Sequence, residues 1–181
     1  MKKFIKIALI SACFIFTANL SAQKFSSLDQ SPMDAASYPS SYKIADKLAK
    51  VTYSRPQLKG RSVSELAPAG SVWRTGANES VEITFYKDAT FGGTSVKAGT
   101  YSLFTIPGEK EWTVILNKNL NQWGAYTYDK AADLVRVKGT VSTGKESLEN
   151  LSMIFHDGTT GPELVMGWGT VIVTVPVSEK K

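Results

Sequence analysis

Val81-Glu82-Ile83-Thr84-Phe85-Tyr86 is the stretch that decides the fold class of this chain. Its three apolar residues alternate with Glu82, Thr84 and Tyr86 at a period of two. Successive side chains on a β-strand point to opposite faces, so this alternation is typical of a strand with one face buried. The stretch therefore predicts a strand that packs its Val, Ile and Phe side chains into a core.

The same period continues to the end of the chain. Four valines at alternate positions from 171 to 177 mark one face of a closing strand. Further short strands are predicted over residues 51–54, 100–106, 112–116, 134–141, 148–156 and 163–168. Gly92-Gly93 and Pro107-Gly108 are turn signals between strands. About nine short strands with almost no helix pattern predict an all-β fold, an antiparallel β-sandwich of the jelly-roll or immunoglobulin-like type or a barrel.

Residues 1–22 are typical of a signal peptide. Three lysines among the first six residues precede an apolar run over residues 7–16, which is too short to span a bilayer. Ser21-Ala22 supplies small residues for cleavage, so we expect the mature chain to begin at Gln23. We expect the mature protein in the periplasm or outside the cell.

Cys13 offers an alternative. Ile10-Ser11-Ala12-Cys13 resembles a lipobox, which would attach a lipid to Cys13 and anchor the protein to a membrane. Cleavage there would leave a short apolar core before the site and Phe14-Ile15-Phe16 directly after the lipid. Ordinary cleavage after Ala22 is therefore favoured.

Composition narrows the function classes. Without residues 1–22, which hold three lysines and the one cysteine, 18 basic residues face 16 acidic ones. This balance, with no basic run, argues against a nucleic-acid partner. The chain has one histidine, His156, which leaves no ligand set for a His/Cys metal site, so we expect no metal and no cofactor. No later apolar stretch reaches transmembrane length.

Residues 23–49 are polar and contain the turn signals Ser31-Pro32 and Tyr38-Pro39. A residue before proline favours extended backbone, so these residues are predicted to form an extended N-terminal arm. The expected organisation is a signal peptide over residues 1–22, the arm over residues 23–49 and one β-sandwich domain over residues 50–181.

The most unusual chemistry lies between residues 53 and 79. The candidate ligand-binding residues are three arginines, a tryptophan and an Asn-Glu pair, namely Arg55, Arg61, Trp73, Arg74, Asn78 and Glu79. Arginine forks suit carboxylates, phosphates and sugar hydroxyls. In the structural alternative, Arg74 pairs with Glu79 and Arg55 bonds a backbone carbonyl, which would hold long loops together.

A second cluster, residues 117–129, mixes amides with aromatics. Trp123 and Tyr126 are candidates for stacking on a sugar ring while neighbouring amides bond its hydroxyls. In the alternative, Trp123 closes one end of the sandwich and Gly124 lets the backbone pass closely.

Several of these segments together resemble one protein family. They are Ser31-Pro32-Met33-Asp34 with Tyr38-Pro39, residues 53–57 with 59–61, residues 72–79, residues 99–108, and residues 112–117 through Trp123-Gly124. They resemble the secreted bacterial domain of unknown function 2911, which is typical of Bacteroidetes-type bacteria. The resemblance implies a single secreted domain and carries no assigned reaction, ligand or catalytic residue.

These observations predict an exported binding module without catalytic activity, with a glycan or a small anionic molecule as its ligand. One alternative is a hydrolase that uses Glu79 with a second carboxylate. Another is an envelope protein whose loops dock a protein partner. A domain poor in His and Cys favours binding over catalysis, because catalysis would depend on carboxylates, Lys or Tyr alone.

Overall fold

The computed structural model describes residues 23–180 of the chain. The predicted signal peptide, including Cys13, lies outside this range. Within it, nine β-strands are joined by loops, one short helix and one 3-10 turn. The prediction of an all-β fold is confirmed.

The strands are β1 (Met33–Tyr38), β2 (Ala49–Ser54), β3 (Val81–Phe85), β4 (Ala89–Phe91), β5 (Thr94–Val96), β6 (Gly99–Ile106), β7 (Glu111–Asn117), β8 (Asp133–Gly158) and β9 (Gly161–Glu179). Helix α1 (Val63–Leu66) follows β2, and the 3-10 turn (Lys130–Ala132) precedes β8. β1 lies within the predicted N-terminal arm and pairs with β2, so that part of the arm is the first strand of the sheet.

All nine strands form one antiparallel sheet in the order β1-β2-β3-β6-β7-β8-β9-β4-β5. The sequence predicts a jelly-roll or immunoglobulin-like sandwich, with a barrel as the alternative, and the two packed sheets of a sandwich are not confirmed. The structure has one continuous hydrogen-bonded sheet across residues 33–179. Its continuity comes from β8 and β9, which pair with each other along most of their length.

β8 and β9 also replace four predicted strands. The segments 134–141 and 148–156, predicted as separate strands, both belong to β8, and the residues between them also lie in the strand. The pairing with β9 shifts register between Thr143 and Leu148 and again between Leu148 and Ser152. Extra residues in one strand bend a hairpin without ending it, so the ladder continues through the irregular part.

The shorter hairpins follow their turn signals. β4 and β5 pair across Gly92-Gly93, which adopt φ values of 55° and 83°. A two-residue turn with positive φ at both positions matches the twist of its strands, and glycine takes that conformation at little cost. β6 and β7 pair around the Pro107-Gly108 turn, as predicted.

The inner face of the sheet encloses one hydrophobic core. Val81, Ile83 and Phe85 are buried in it, as their alternation predicts. Trp73 stacks on Trp168 with ring centroids 5.4 Å apart, and Trp112 meets Trp73 edge-on at 6.1 Å. The three rings lie inside the core and stabilise it chiefly through the apolar area that they bury.

The sheet curls until β2 meets the far half of β8. In the sheet order β2 is second and β8 is sixth, yet Gln57 bridges to Asn150 and Leu58 N–H donates to the Glu149 carbonyl at 3.0 Å. We call this contact, between residues 53–58 and residues 149–153, the seam. The seam therefore joins the two outer strands of the series β2-β3-β6-β7-β8, so that these five strands surround one core.

Two side chains complete the seam where the main chains do not pair. The buried Tyr53 hydroxyl accepts a hydrogen bond from the Met153 N–H at 2.8 Å. The Arg55 guanidinium donates to the Leu151 carbonyl at 3.0 Å and to the Ser152 hydroxyl at 2.7 Å. The two side chains therefore give hydrogen-bond partners to residues 151–153 of β8, where no strand pairs with that edge of β8.

Tyr53→Phe tests the seam. The substitution keeps the ring and removes the acceptor of a buried N–H, so we expect the free energy of unfolding to fall by about 1–3 kcal/mol. Urea denaturation followed by circular dichroism measures the change. Tyr86→Phe is the matched control, because the Tyr86 ring is exposed, and it should change stability by less than about 0.5 kcal/mol. Equal effects of the two substitutions would contradict this role of Tyr53.

The burial of Tyr53 also predicts that the free energy of unfolding depends on pH. Burial raises the pKa of Tyr53 above its ordinary value of 10.0. The folded state thus favours the neutral hydroxyl, and this contribution is complete below pH 10.0 and lost as the pH rises through the folded-state pKa. Between about pH 9 and about pH 11, the wild-type protein should lose stability more steeply than Tyr53→Phe. Urea denaturation of the wild type and of Tyr53→Phe at each of these two pH values measures the two losses of stability.

Candidate functional site

Residues 118–132, between β7 and β8, form a loop that covers part of the outer face of the sheet. Phe104 and Ile115 are fully buried on that face, while their chain neighbours on β6 and β7 point into the core. Tyr128 from the loop packs on Phe104 with ring centroids 5.1 Å apart. A small apolar contact therefore holds the loop against the sheet.

A polar network fixes the base of this loop. Asp133 accepts hydrogen bonds from Asn117 Nδ2 at 2.8 Å, from the Tyr128 hydroxyl at 2.6 Å and from Arg136 Nε at 2.8 Å. Burial, together with the bond to Asp133, raises the pKa of Tyr128. Asn117 also donates to the Asp129 carbonyl at 2.9 Å, so the network joins both ends of the loop.

The tip of the loop pairs with residues 78–80. Glu79 and Trp123 form an antiparallel bridge, flanked by bonds from Ser80 N–H to the Gln122 carbonyl at 2.8 Å and from Gly124 N–H to the Asn78 carbonyl at 3.0 Å. Gly124 has φ 68°, and a Cβ there would lie 2.7 Å from the Tyr126 ring. The two clusters that the sequence analysis singled out therefore meet at this bridge.

Beside the bridge lies a depression of about 280 Å³, which we call the Trp123 groove. It is lined by Asp29, Ser31, Met33, Ser54, Asn78, Glu79 and Trp123. The Trp123 side chain is 63% exposed, whereas the other three tryptophans are buried. Three of the eight candidate residues, Asn78, Glu79 and Trp123, are brought together here.

A smaller hollow of about 60 Å³ adjoins the groove and shares Met33, Ser54 and Glu79 with it. Thr52, Glu82 and Asn121 extend its polar lining along the outer face of β2 and β3. The two depressions contain the carboxylates of Asp29, Glu79 and Glu82, and no lysine or arginine is among the residues that line them. The combined surface suits hydroxyls and amides and repels anions.

The candidate arginines do not converge on this groove. Arg55 forms an ion pair with Asp34 at 3.0 Å and bonds the Leu151 carbonyl, which matches its structural alternative. Arg61 donates to the carbonyls of Leu58 and Gln57 at 2.9 and 3.1 Å. Arg74 forms no ion pair with Glu79 in the described part of the chain, and its Nε is buried without a hydrogen-bond partner there.

Trp73 and Tyr126 also lie apart from the groove. Trp73 bridges to Thr105 on β6, which turns its indole into the core, so the structure corrects its assignment as an accessible ligand-binding residue. Tyr126 is 84% exposed next to Gly124 and does not line the groove. His156 is exposed on β8 beside the turn to β9.

A larger cavity has a volume of about 510 Å³, and we call it the end cavity. Of the residues that line it, the sequence analysis names only Arg61 as a candidate. It lies between α1, the β6–β7 turn and the irregular part of the β8–β9 hairpin. A signal for its α1 wall is present in the sequence. Ser62 and Glu65 form a capping box, in which each side chain accepts the other's backbone N–H.

Within residues 23–180, no group of three or more His, Cys, Asp and Glu side chains is arranged to hold a metal ion. Across the same residues, no helix combines the length and apolar character needed to cross a membrane.

Asp133→Ala tests how the loop is held. The substitution removes the acceptor shared by Asn117, Tyr128 and Arg136, so the loop should open more often. Hydrogen exchange at the amides of Ser80 and Gly124 should become at least about tenfold faster, while amides of the β2–β3 ladder keep their protection. Asp88→Ala, which removes an exposed ion pair with Lys97, is the control and should leave these amides unchanged. Unaltered exchange at Ser80 and Gly124 in Asp133→Ala would contradict this arrangement.

Comparison with known proteins gives the chain a family. Neither a search of curated proteins nor a search of solved structures finds a match to it. A family model described as "Protein of unknown function (DUF2911)" matches residues 31–177, which include all of the candidate residues. Because that span covers most of the sequence, the chain belongs to the DUF2911 family.

Proposed function

We propose that this protein is an exported, non-catalytic binding module that holds a neutral saccharide in the Trp123 groove. Export is supported by the charged start, short apolar run and small residues of segment 1–22. Mass spectrometry of the purified mature protein tests it. Gln23 as the first residue agrees with export and cleavage after Ala22, a lipid on Cys13 would show export with a membrane anchor instead, and an uncleaved chain would contradict export. The binding site is supported chiefly by one observation, the exposed indole held beside a polar groove.

The Trp123 indole supplies an apolar face for a sugar ring. It is exposed, although burying an aromatic ring is favourable, and its backbone is fixed by the bridge to Glu79. An aromatic ring of this kind offers contact area with little loss of conformational entropy, since only two side-chain torsions must be ordered. The C–H face of a pyranose fits that surface.

The remaining lining matches sugar hydroxyls. Glu79 and Asp29 carry acceptor oxygens, the Asn78 amide both donates and accepts, and the hydroxyls of Ser31 and Ser54 do the same. Bonds from hydroxyls to carboxylates are charge-assisted and stronger than neutral ones. A volume of about 280 Å³ lies just below the range of pockets for drug-sized ligands, which favours a ligand of one sugar ring at this position.

The charge of the groove selects between the two predicted ligand classes. Asp29, Glu79 and Glu82 would repel an anionic ligand, and the arginines that motivated an anion site lie elsewhere. A neutral saccharide has hydroxyls for these carboxylates and carries no charge for them to oppose. We therefore retain the glycan and not the anion for this groove.

Trp123→Ala tests the site. On an array of neutral oligosaccharides, the wild-type protein should bind a subset, and the best ligand should lose at least about tenfold in affinity, or about 1.4 kcal/mol, in the variant. The three other tryptophans are buried, so quenching of indole fluorescence by acrylamide, a neutral quencher that the carboxylates do not repel, reports mainly on Trp123 and should weaken when the saccharide binds. Isothermal titration measures the affinity directly.

Tyr86→Ala is the matched control for that experiment. Tyr86 is also an exposed aromatic residue, and it lines neither the groove nor its adjoining hollow. It should bind the saccharide like the wild-type protein. Equal affinity of Trp123→Ala and the wild type, or no saccharide bound by either, would overturn the proposal.

Glu79→Gln separates binding from the hydrolase alternative, which is favoured by the presence of Glu79 and Asp29 in one groove. A binding module should turn over none of the saccharides, and Glu79→Gln should only weaken binding through the loss of a charge-assisted bond. Hydrolysis by the wild type that disappears in Glu79→Gln would establish an enzyme instead.

A further inference from the structure

The end cavity is larger than the Trp123 groove and shares no residue with it. Its volume of about 510 Å³ falls within the range of small-molecule pockets. Its walls come from four separate parts of the chain, including α1 and residues 169–171 of β9. The cavity is therefore a product of the folded structure and cannot form in any one segment alone.

The lining of the end cavity is largely apolar. Leu58, Val63, Ala67, Trp112 and Val171 supply hydrocarbon and one indole. Leu58, Ala67 and Trp112 belong to the hydrophobic core, so the cavity opens directly onto it. A hydrocarbon body placed here would leave water and contribute about 25 cal/mol for each Å² that it buries.

Arg61 adds a cation to the apolar lining. Its Nε and Nη2 donate to the carbonyls of Leu58 and Gln57, which hold the guanidinium in one orientation. An arginine carries five N–H donors, so three remain for a ligand. Within residues 23–180, no carboxylate lies at ion-pair distance from Arg61. Glu65 is its acidic neighbour: the bonds from Ser62 are the main cause that lowers the pKa of Glu65, and the Arg61 charge adds a smaller contribution. An oriented guanidinium is suited to bind a carboxylate through two parallel bonds.

Glu109 limits the charge of the ligand. Its side chain is exposed in the β6–β7 turn and also lines the end cavity. A second negative charge on the ligand would meet this carboxylate and be repelled. The cavity thus combines an apolar body, one place for an anion and one residue that opposes a dianion.

We propose that the end cavity is a binding site for an amphipathic monocarboxylate, with its hydrocarbon body against Trp112 and Val63 and its carboxylate on Arg61. This site is independent of the saccharide site. It recognises the single negative charge at the end of an apolar chain, a chemistry that the Trp123 groove excludes.

Isothermal titration of the full protein with four probes tests the site. Decanoate has both features, decanol lacks the charge, acetate lacks the apolar body and sebacate carries a second carboxylate. Below its micelle concentration, decanoate should bind more tightly than the other three. Equal binding of decanoate and decanol, or no binding of decanoate, would overturn the proposal.

Two variants locate the probe. Arg61→Gln should weaken decanoate binding by at least about tenfold and leave decanol unchanged. Ala69→Trp, at an exposed position in the lining, should block both probes while the circular dichroism spectrum and melting temperature stay those of the wild type. Decanoate affinity that survives both substitutions would place its site elsewhere and refute the proposal.

Two further variants test the charges. Lys110→Gln removes an exposed cation next to Glu109 that does not line the end cavity, so it should leave decanoate affinity unchanged. A loss equal to that in Arg61→Gln would show general charge attraction and contradict a specific role for Arg61. Glu109→Gln should improve sebacate binding relative to decanoate, and no relative gain would refute the role of Glu109.

Discussion

Residues 148–158 of β8 pair with β9 along one edge. Along the other edge, β8 is joined to β2 and the residues that follow it through the seam. There, the Tyr53 hydroxyl and the Arg55 guanidinium take the place of a complete main-chain ladder. A buried N–H or carbonyl without a partner is costly, so these two side chains, together with the main-chain bonds of Leu58 and Leu151, stabilise the curl of the sheet around its core. The Asp34 carboxylate, on β1, ties the first strand to the same point through Arg55.

Both candidate sites follow from that curl. The irregular part of β8 and β9, which allows the hairpin to bend, also leaves the space that becomes the end cavity. On the outer face, residues 118–132 lie against Phe104 and Asp133, and the bridge at Glu79 sets the position of the Trp123 indole. The sheet supplies rigid walls and the loops supply the chemistry, a common division in binding proteins.

The sequence was most informative where the signal is local. The alternation at Val81–Phe85 and the Gly92-Gly93 turn each depend on a few neighbouring residues, and both predictions are confirmed. The chemistry of Asn78, Glu79 and Trp123 makes them candidates in the sequence, but their meeting in one groove depends on a bridge that no local pattern encodes. The role of Arg55 remained open for the same reason, since its partners lie on the distant strand β8. The end cavity could not be predicted from the sequence because its lining comes from several distant segments. Only the Ser62–Glu65 capping box gives a local signal, for the helix that forms one wall.

The position of β4 in the sheet has a consequence for the order of assembly. β4 pairs with the last residues of β9, from Val177 to Glu179, and β5 is attached only through β4. The β4–β5 hairpin therefore cannot dock on the sheet before the end of β9 has been synthesised. Folding is slowed because the entropy cost of closing such a long loop comes before the stabilising contacts form. A chain synthesised from its amino terminus therefore cannot complete this sheet until residues 177–179 of β9 are free to pair with β4.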